Sequence, residues 1–176
     1  MFHTSCPAAT RSARGGAAGA ADNDNCLFFW WAASTVRHLG IGGKHGHPSV
    51  NPKCMPTYDP EQRFAAYQKQ MTIYKQLKPY FTRGTFHGLR ENVHLHTLPR
   101  RKGGVLLMFN ITEVDQAIEA RIDQRLLQTG GSPQVEGAVA ITEDGVLRIQ
   151  ADIPAMSAAV VRIGDAVERS ERGEPN

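Results

Sequence analysis

Histidine and cysteine side chains cluster in one Gly- and Pro-containing segment, which reads KHGHPSVNPKC over residues 44–54. His45, His47 and Cys54 carry imidazole and thiol groups, and both groups bind zinc in proteins. Their spacing matches no standard zinc motif, and no second cysteine pair accompanies them. We expect a solvated or substrate-facing loop, with no bound metal or cofactor. A small metal-binding protein that uses the His-rich loop, residues 45–54, is the alternative.

A second histidine pair lies in the sequence HLH, at His94 and His96. If this segment is a strand, both rings point to one face, because successive side chains alternate. A facing pair can hold a metal when a third ligand joins it, and the sequence identifies no such ligand. We therefore predict half-exposed histidines on the polar face of a strand.

Other familiar chemistries are not indicated. The sequence contains no G-x-S-x-G nucleophile elbow, and Ser34 falls inside a predicted helix as a small packing residue. Cys26 lies in an apolar block and is predicted to be buried and unreactive. The glycine-rich residues 40–43 are too short for a dinucleotide-binding fingerprint. Asn110 begins a glycosylation-type triplet, NIT, but a strand interior is a poor glycan site.

Composition limits the partners. The 176 residues carry a formal net charge of +3 with scattered basic residues, which argues against a nucleic-acid surface. The longest apolar run, Cys26 to Ala33, is far shorter than the roughly 20 residues that cross a bilayer. We expect neither nucleic acid nor membrane as a partner, and the compartment stays open. Residues 1–21, Gly/Ala-rich and free of acids, are predicted to be disordered, as are the charged residues 166–176.

The first predicted helix begins after Asn23 or Asp24 as a cap and runs to about Leu39, where Gly40 suits a left-handed terminal residue. Its block FFWW, residues 28–31, covers more than one face, so this helix needs cover on most sides. We expect this chain to leave part of the block exposed, which favours self-association through the apolar helix surface.

A second helix is predicted to begin at Pro60, with Asp59 as its cap, and its apolar stripe ends at Pro79. After residue 81 the pattern changes to about seven short, alternating, valine-rich segments separated by turn residues, which is typical of an antiparallel sandwich or barrel. The segment EDG before Val146 predicts a hairpin turn. The fold class is therefore α+β, with an antiparallel β-sandwich over residues 82–165.

The segment HLGIGG, residues 38–43, fits a very short strand. Residues 22–81 then contain a helix, a strand, a loop and a helix, which is the element order at the end of a parallel βα barrel. This part and the β module, which ends in MSAAVVRIGD, resemble the C-terminal end of α-galactosidase-like glycoside hydrolases. Those enzymes join a (β/α)8 barrel to a C-terminal antiparallel sandwich, so the resemblance implies two helices from the end of such a barrel.

The resemblance implies a retaining mechanism that uses two carboxylates about 5–5.5 Å apart. In that family both are aspartates on strands in the middle of the barrel, and no aspartate here matches either role. Asp22, Asp24 and Asp59 are interpreted as helix caps. We therefore assign no catalytic residue. A loop at the carboxyl end of the final strand would lie on the catalytic face, so Lys44, His45 and His47 are the predicted substrate-binding residues.

The sequence thus predicts a C-terminal fragment of an α-galactosidase-like glycoside hydrolase, a TIM-barrel enzyme of carbohydrate metabolism. The fragment should lack hydrolase activity on its own and have carbohydrate as its partner. A stand-alone β-sandwich carbohydrate-binding module with a helical N-terminal extension is the principal alternative. Such a module would be a stable monomer that binds polysaccharide without hydrolysis.

Overall fold

The computed structural model describes residues 16–17, 22, 24–36, 39–40 and 60–167. Its helices are α1 (Leu27–Thr35), α2 (Pro60–Arg83) and the short α3 (Gln124–Leu127). Its strands are β1 (Gly16–Ala17), β2 (Leu39–Gly40), β3 (Thr85–Arg90), β4 (Val93–Thr97), β5 (Gly103–Asn110), β6 (Gln116–Asp123), β7 (Val135–Glu136), β8 (Val139–Glu143), β9 (Val146–Ile153) and β10 (Ser157–Gly164).

Strands β3 to β10 form two antiparallel sheets. One has the strand order β3-β4-β5-β10-β7, and the other has the order β6-β9-β8. Their inner faces share one apolar cluster, to which Leu106 and Met108 of β5 and Ile149 of β9 belong. The predicted α+β fold with helices followed by an antiparallel sandwich is confirmed. The predicted hairpin after β8 is also present, and its turn residues Asp144 and Gly145 have the positive φ angles that such turns require.

The five-stranded sheet is covered on both faces. Its outer face packs against α1 and α2 in a second apolar cluster, which contains Val105, Leu107 and Phe109 of β5. All eight residues of β5 are consequently buried, whereas β6 alternates between buried and exposed positions. The described chain is therefore three layers thick, with helices, a five-stranded sheet and a three-stranded sheet in that order.

One of the seven segments predicted as strands is VEGAVAI, residues 135–141, and the structure divides it in two. Its first part, β7, pairs with β10 of the five-stranded sheet, and its second part, β8, pairs with β9 of the other. Gly137 stands at the crossing with a φ of +94°, and a Cβ there would lie 2.9 Å from the Val160 carbonyl oxygen. A residue without a side chain therefore lets the chain change sheets at this point.

Helix α1 is shorter than predicted, and Asp22 hydrogen-bonds to its first turn. It ends at Thr35 rather than near Leu39. Its N-cap residue, Cys26, makes no side-chain capping bond and is buried, as expected. The carboxylate of Asp22 accepts the backbone N–H groups of Phe28 at 2.8 Å and Phe29 at 3.0 Å. The capping role of Asp22 is thus confirmed. Asn23, one of the two residues predicted to cap this helix, lies outside the described residues.

Helix α2 continues past Pro79 to Arg83, although the sequence predicted that its stripe ends at the proline. The reason is burial, because Tyr80 and Phe81 in the last turn are both inaccessible to solvent. The helix ends before Gly84, where a Cβ would lie 2.2 Å from the Tyr80 carbonyl oxygen. The predicted stripe is otherwise confirmed at its buried positions Tyr67, Tyr74 and Leu77.

Two of the four residues in the aromatic block of α1, residues 28–31, are buried, and the other two are partly exposed. Phe29 and Trp30 are buried against α2, and the Trp30 indole N–H donates to Gln70 Oε1 at 3.0 Å. Helix α2 supplies the cover of Trp30 through Phe81 and Gln70. Phe28 is 45% exposed and Trp31 is half-buried, so the block does leave an apolar edge at the surface.

Strands β1 and β2 lie on either side of α1 in the chain and pair in parallel, with Gly16 opposite Leu39 and Ala17 opposite Gly40. The short strand predicted within residues 38–43 is present at β2. Strand β1 falls within residues 1–21, which were expected to be disordered, so at Gly16–Ala17 that expectation does not hold. The helix between two parallel strands makes a small β-α-β unit, which α2 follows.

Candidate functional site

A cleft of about 660 Å³ opens where α1 meets one end of the sandwich. Four separate segments of the chain line it: the start of α1, the β3–β4 turn, the β5–β6 loop and the β9–β10 turn. The lining residues are Asp22, Leu27, Phe28, Trp31, Glu91, Asn92, Phe109, Ile111, Thr112, Gln116 and Met156. Its volume lies within the range of small-molecule sites.

One wall of the cleft is aromatic. The Trp31 ring makes edge contact with Phe109 of β5 at 5.2 Å between centroids, and it lies 5.3 Å from His94 of β4. Leu27 and Trp31 are one helical turn apart and share this face of α1. Within the described residues the Trp31 indole N–H has no hydrogen-bond acceptor, in contrast to that of the buried Trp30. Trp31 is therefore held in place while part of its ring remains open to the cleft.

The polar residues of the cleft come from turns that are tied to the sheets. Asn92 accepts the Phe109 backbone N–H through its main-chain oxygen at 2.9 Å, and its side-chain amide donates to the Phe109 carbonyl at 3.2 Å. The amide oxygen of Asn92 remains as an acceptor. The β3–β4 turn is therefore fixed to β5, beside the aromatic wall.

Buried Asn110 joins two of the segments that line the cleft. Its side-chain amide nitrogen lies 2.8 Å from the Val114 carbonyl, 2.9 Å from that of Ile153 and 3.0 Å from that of Pro154. Its side-chain oxygen accepts the backbone N–H of Thr112 at 3.0 Å. Asn110 thus joins the β5–β6 loop to the β9–β10 turn. Because its side chain is inaccessible and fully engaged, the NIT triplet is not an accessible glycan acceptor in this fold.

Behind the aromatic wall, the Ser34 hydroxyl bridges the two histidines of β4. Ser34 Oγ lies 2.8 Å from His94 Nδ1 and 2.9 Å from His96 Nε2. His94 Nε2 lies 3.0 Å from the Glu91 carbonyl oxygen, which can only accept, so Nε2 carries the proton. In its neutral form His94 then accepts from Ser34 through Nδ1, and Ser34 in turn accepts from His96 Nε2–H. The three hydrogen bonds therefore form a chain that ends at the cleft rim. His96 donates to Ser34, Ser34 donates to His94, and His94 donates to the Glu91 carbonyl oxygen.

This Ser34–His94–His96 cluster is enclosed by aromatic rings. Phe109 and Phe86 lie 5.2 Å from His94, and Phe81 lies 5.0 Å from His96. Burial lowers the pKa of His94, and the hydrogen bond to the Glu91 carbonyl opposes part of that shift. The neutral imidazole is therefore the form that the folded protein favours at neutral pH.

The prediction of half-exposed histidines was wrong, since both imidazoles are buried. Strand alternation correctly placed them on one face, but α1 and α2 cover that face. Ser34 is a small buried residue, as predicted, and it has the additional role of hydrogen-bonding both rings. Among the described residues no group of three or more metal-ligating side chains is present. In place of a third metal ligand, the Ser34 hydroxyl lies beside the histidine pair. It hydrogen-bonds to both ring nitrogens that face it, His94 Nδ1 and His96 Nε2.

The predicted substrate-binding residues Lys44, His45 and His47 lie outside the described residues, as do Cys54, Asp59 and the rest of the 45–54 loop. Their assignment remains a prediction. The cleft was missed by sequence reasoning, because its walls come from positions far apart in the chain. The signal that the sequence offered was the aromatic block at residues 28–31, because Phe28 and Trp31 of that block line the cleft. No helix among the described residues is both long and apolar enough to span a membrane.

Comparisons with known proteins give distant structural neighbours. No family model matches the chain, and no curated protein matches it. Alpha-galactosidase I from Mortierella vinacea is a structural neighbour with 13% identity and a TM-score of 0.44, over 80% of this chain and 36% of that one. The Nostoc punctiforme debranching enzyme is another, with 14% identity and a TM-score of 0.43, over 71% of this chain and 25% of that one. The chain thus spans well under half the length of either enzyme.

Proposed function

We propose that this chain is the C-terminal part of a glycoside hydrolase of the α-galactosidase-like type, and that it does not hydrolyse glycosides by itself. The observation that carries the proposal is the parallel β1–β2 pair with α1 between its strands, followed by α2 and an antiparallel sandwich. This is the element order at the end of a βα barrel joined to a C-terminal sandwich. The sequence resemblance points to the same enzymes.

The short length of β1 and β2 supports the proposal that they belong to a larger parallel sheet. Each strand has two residues, and parallel strands are found in sheets whose faces are covered by their crossover helices. Within the described residues each of the two strands pairs with the other alone. Their outer edges offer backbone groups that neighbouring barrel strands would pair.

In the intact enzyme this chain would close the barrel and support its catalytic face. Asp22 is committed to capping α1, and nothing in the described residues assigns a nucleophile or an acid/base carboxylate. The catalytic pair would therefore come from preceding barrel strands. Residues 44–47 follow the carboxyl end of β2, where barrel enzymes collect functional groups. In this proposal Lys44, His45 and His47 donate hydrogen bonds to sugar hydroxyls.

The first test is to sequence the DNA upstream of the Met1 codon in all three frames. We expect further βα units with aspartates at the ends of predicted strands. A chain extended by those units should release nitrophenol from a nitrophenyl α-galactoside, and the 176-residue chain should release none. Unrelated genes or a promoter directly upstream, or hydrolysis by the short chain alone, would contradict the proposal.

The loop residues are tested in the extended enzyme. His45→Ala and His47→Ala should each raise the Michaelis constant for the glycoside, because a hydrogen bond to a sugar hydroxyl is lost. The exposed, distant change Val139→Ala is the matched control and should leave both constants unchanged. Unchanged kinetics in both histidine variants would remove residues 45 and 47 from the site.

A further inference from the structure

We propose that the cleft between α1 and the end of the sandwich is a saccharide-binding site, with Trp31 as its stacking platform. This site is distinct from the predicted loop at residues 44–47, and it deepens the proposed function, on which the choice of saccharide probes rests. The ligand would be a neutral sugar or a short oligosaccharide that binds without being hydrolysed there.

The chemical character of the walls fits a sugar. A pyranose has an apolar C–H face and a rim of hydroxyl groups that both donate and accept hydrogen bonds. For the apolar face of the sugar, the cleft offers the half-buried Trp31 and the exposed Phe28. For the hydroxyl groups, it offers the side-chain amides of Asn92 and Gln116. A mainly apolar lining with a small number of placed polar groups is typical of small-molecule sites.

Charge disfavours the main alternatives. No lysine, arginine or histidine occurs among the lining residues that the structure describes, so an anionic ligand would find no counter-charge. The Asp22 carboxylate accepts two backbone N–H groups with its two oxygens and is only 4% exposed, so its charge already serves the start of α1. Glu91 is then the remaining acid of the lining, and because it is exposed to solvent its attraction for a cation is weak. A neutral, polyhydroxylated ligand therefore fits better than an organic cation.

The platform is pre-organised, which lowers the entropic cost of binding. Trp31 is fixed by its ring contacts with Phe109 and His94, and Asn92 is tied to Phe109 by two hydrogen bonds. The two neighbouring tryptophans differ in a way that suits a ligand role. Trp30 is buried with its indole N–H bonded to Gln70, whereas Trp31 is half-buried and its indole N–H has no acceptor among the residues that the structure describes.

The test is a titration of the 176-residue chain with methyl α-galactoside and with maltotriose, monitored by calorimetry and tryptophan fluorescence. We expect weak binding with a Kd on the order of 1 mM and a change in emission from Trp31. Trp31→Ala should weaken binding by about tenfold or more, as truncation of a central aromatic does. Gln116→Ala should weaken it less, and Val139→Ala, on the outer face of the three-stranded sheet, should match the wild type.

Trp31→Phe is a second variant that tests the platform if Trp31→Ala does not fold. It keeps an aromatic ring against Phe109, and we expect it to bind with an intermediate affinity. Equal affinity in the wild type, Trp31→Ala and Gln116→Ala would overturn the cleft while leaving the glycosidase proposal intact. Absence of binding to both saccharides, or preferential binding of tetramethylammonium, would also overturn it. The DNA and hydrolysis tests above decide the glycosidase proposal independently.

Discussion

Ser34 on α1 and His94 on β4 are 60 residues apart in the chain and lie 2.8 Å apart in the fold. The hydroxyl of Ser34 also reaches His96 Nε2 at 2.9 Å. One small side chain therefore satisfies two buried imidazole nitrogens. Because Trp31 lies one turn earlier on the same helix and Glu91 accepts from His94, the cluster also joins two walls of the cleft.

Removing the Ser34 hydroxyl should destabilise the fold. Ser34→Ala leaves a donor on His96 and an acceptor on His94 without their bridging partner in a site closed to water. An unsatisfied buried polar group costs about 1–3 kcal/mol, so we expect a loss of at least that order in the free energy of unfolding. Urea denaturation measures it. Thr35→Ala, at the adjacent exposed position of α1, is the matched control, and an equal loss there would contradict the prediction.

His94 should make stability depend on pH. Burial lowers its pKa below the ordinary value of 6.5, so the unfolded chain takes up this proton more readily than the folded protein. The free energy of unfolding should therefore fall as the pH drops through 6.5 toward the lower folded-state pKa. Above that window both states hold a neutral imidazole, so His94 no longer makes the free energy of unfolding depend on pH. His94→Gln should flatten the profile between about pH 7 and pH 5, and an unchanged slope would exclude His94 as its source.

Local pattern predicted much of this fold. The spacing of Tyr67, Tyr74 and Leu77 fixes the buried side of α2, and alternation identifies the strands of the sandwich. The Asp144–Gly145 turn was also readable, because few residues adopt positive φ angles without strain. These features depend on neighbours a few residues apart, which a sequence displays directly.

The site depends on contacts that no local pattern contains. Alternation places His94 and His96 on one strand face but does not say that a helix 60 residues earlier will cover it. The change of sheet at Gly137 was missed for the same reason, because Val160 of a distant strand creates the crowding there. The cleft requires four segments to meet, so its polar residues appeared in the sequence as unrelated loop positions.

Asn110 should be more important for stability than its place in a glycosylation-like triplet suggests. Asn110→Ala removes an amide that bonds the carbonyls of Val114, Ile153 and Pro154, and it frees the Thr112 N–H. We expect a loss of at least about 2 kcal/mol in the free energy of unfolding, because several partly or fully buried groups lose partners. Asn25→Ala, which removes one exposed bond to the Ala155 carbonyl, should cost far less. Similar losses in the two variants would contradict this role.

Asp22 should stabilise α1, and through it the position of Trp31. Asp22→Asn replaces one accepting oxygen by an amide that cannot accept the N–H of Phe28 or Phe29, and it removes a negative charge from the start of the helix. A lost cap costs about 1 kcal/mol, and we expect that decrease in urea denaturation. Asp152→Asn makes the same chemical change at an exposed position of β9 and should be nearly neutral. If the two variants lose equal stability, the effect comes from net charge rather than from the cap.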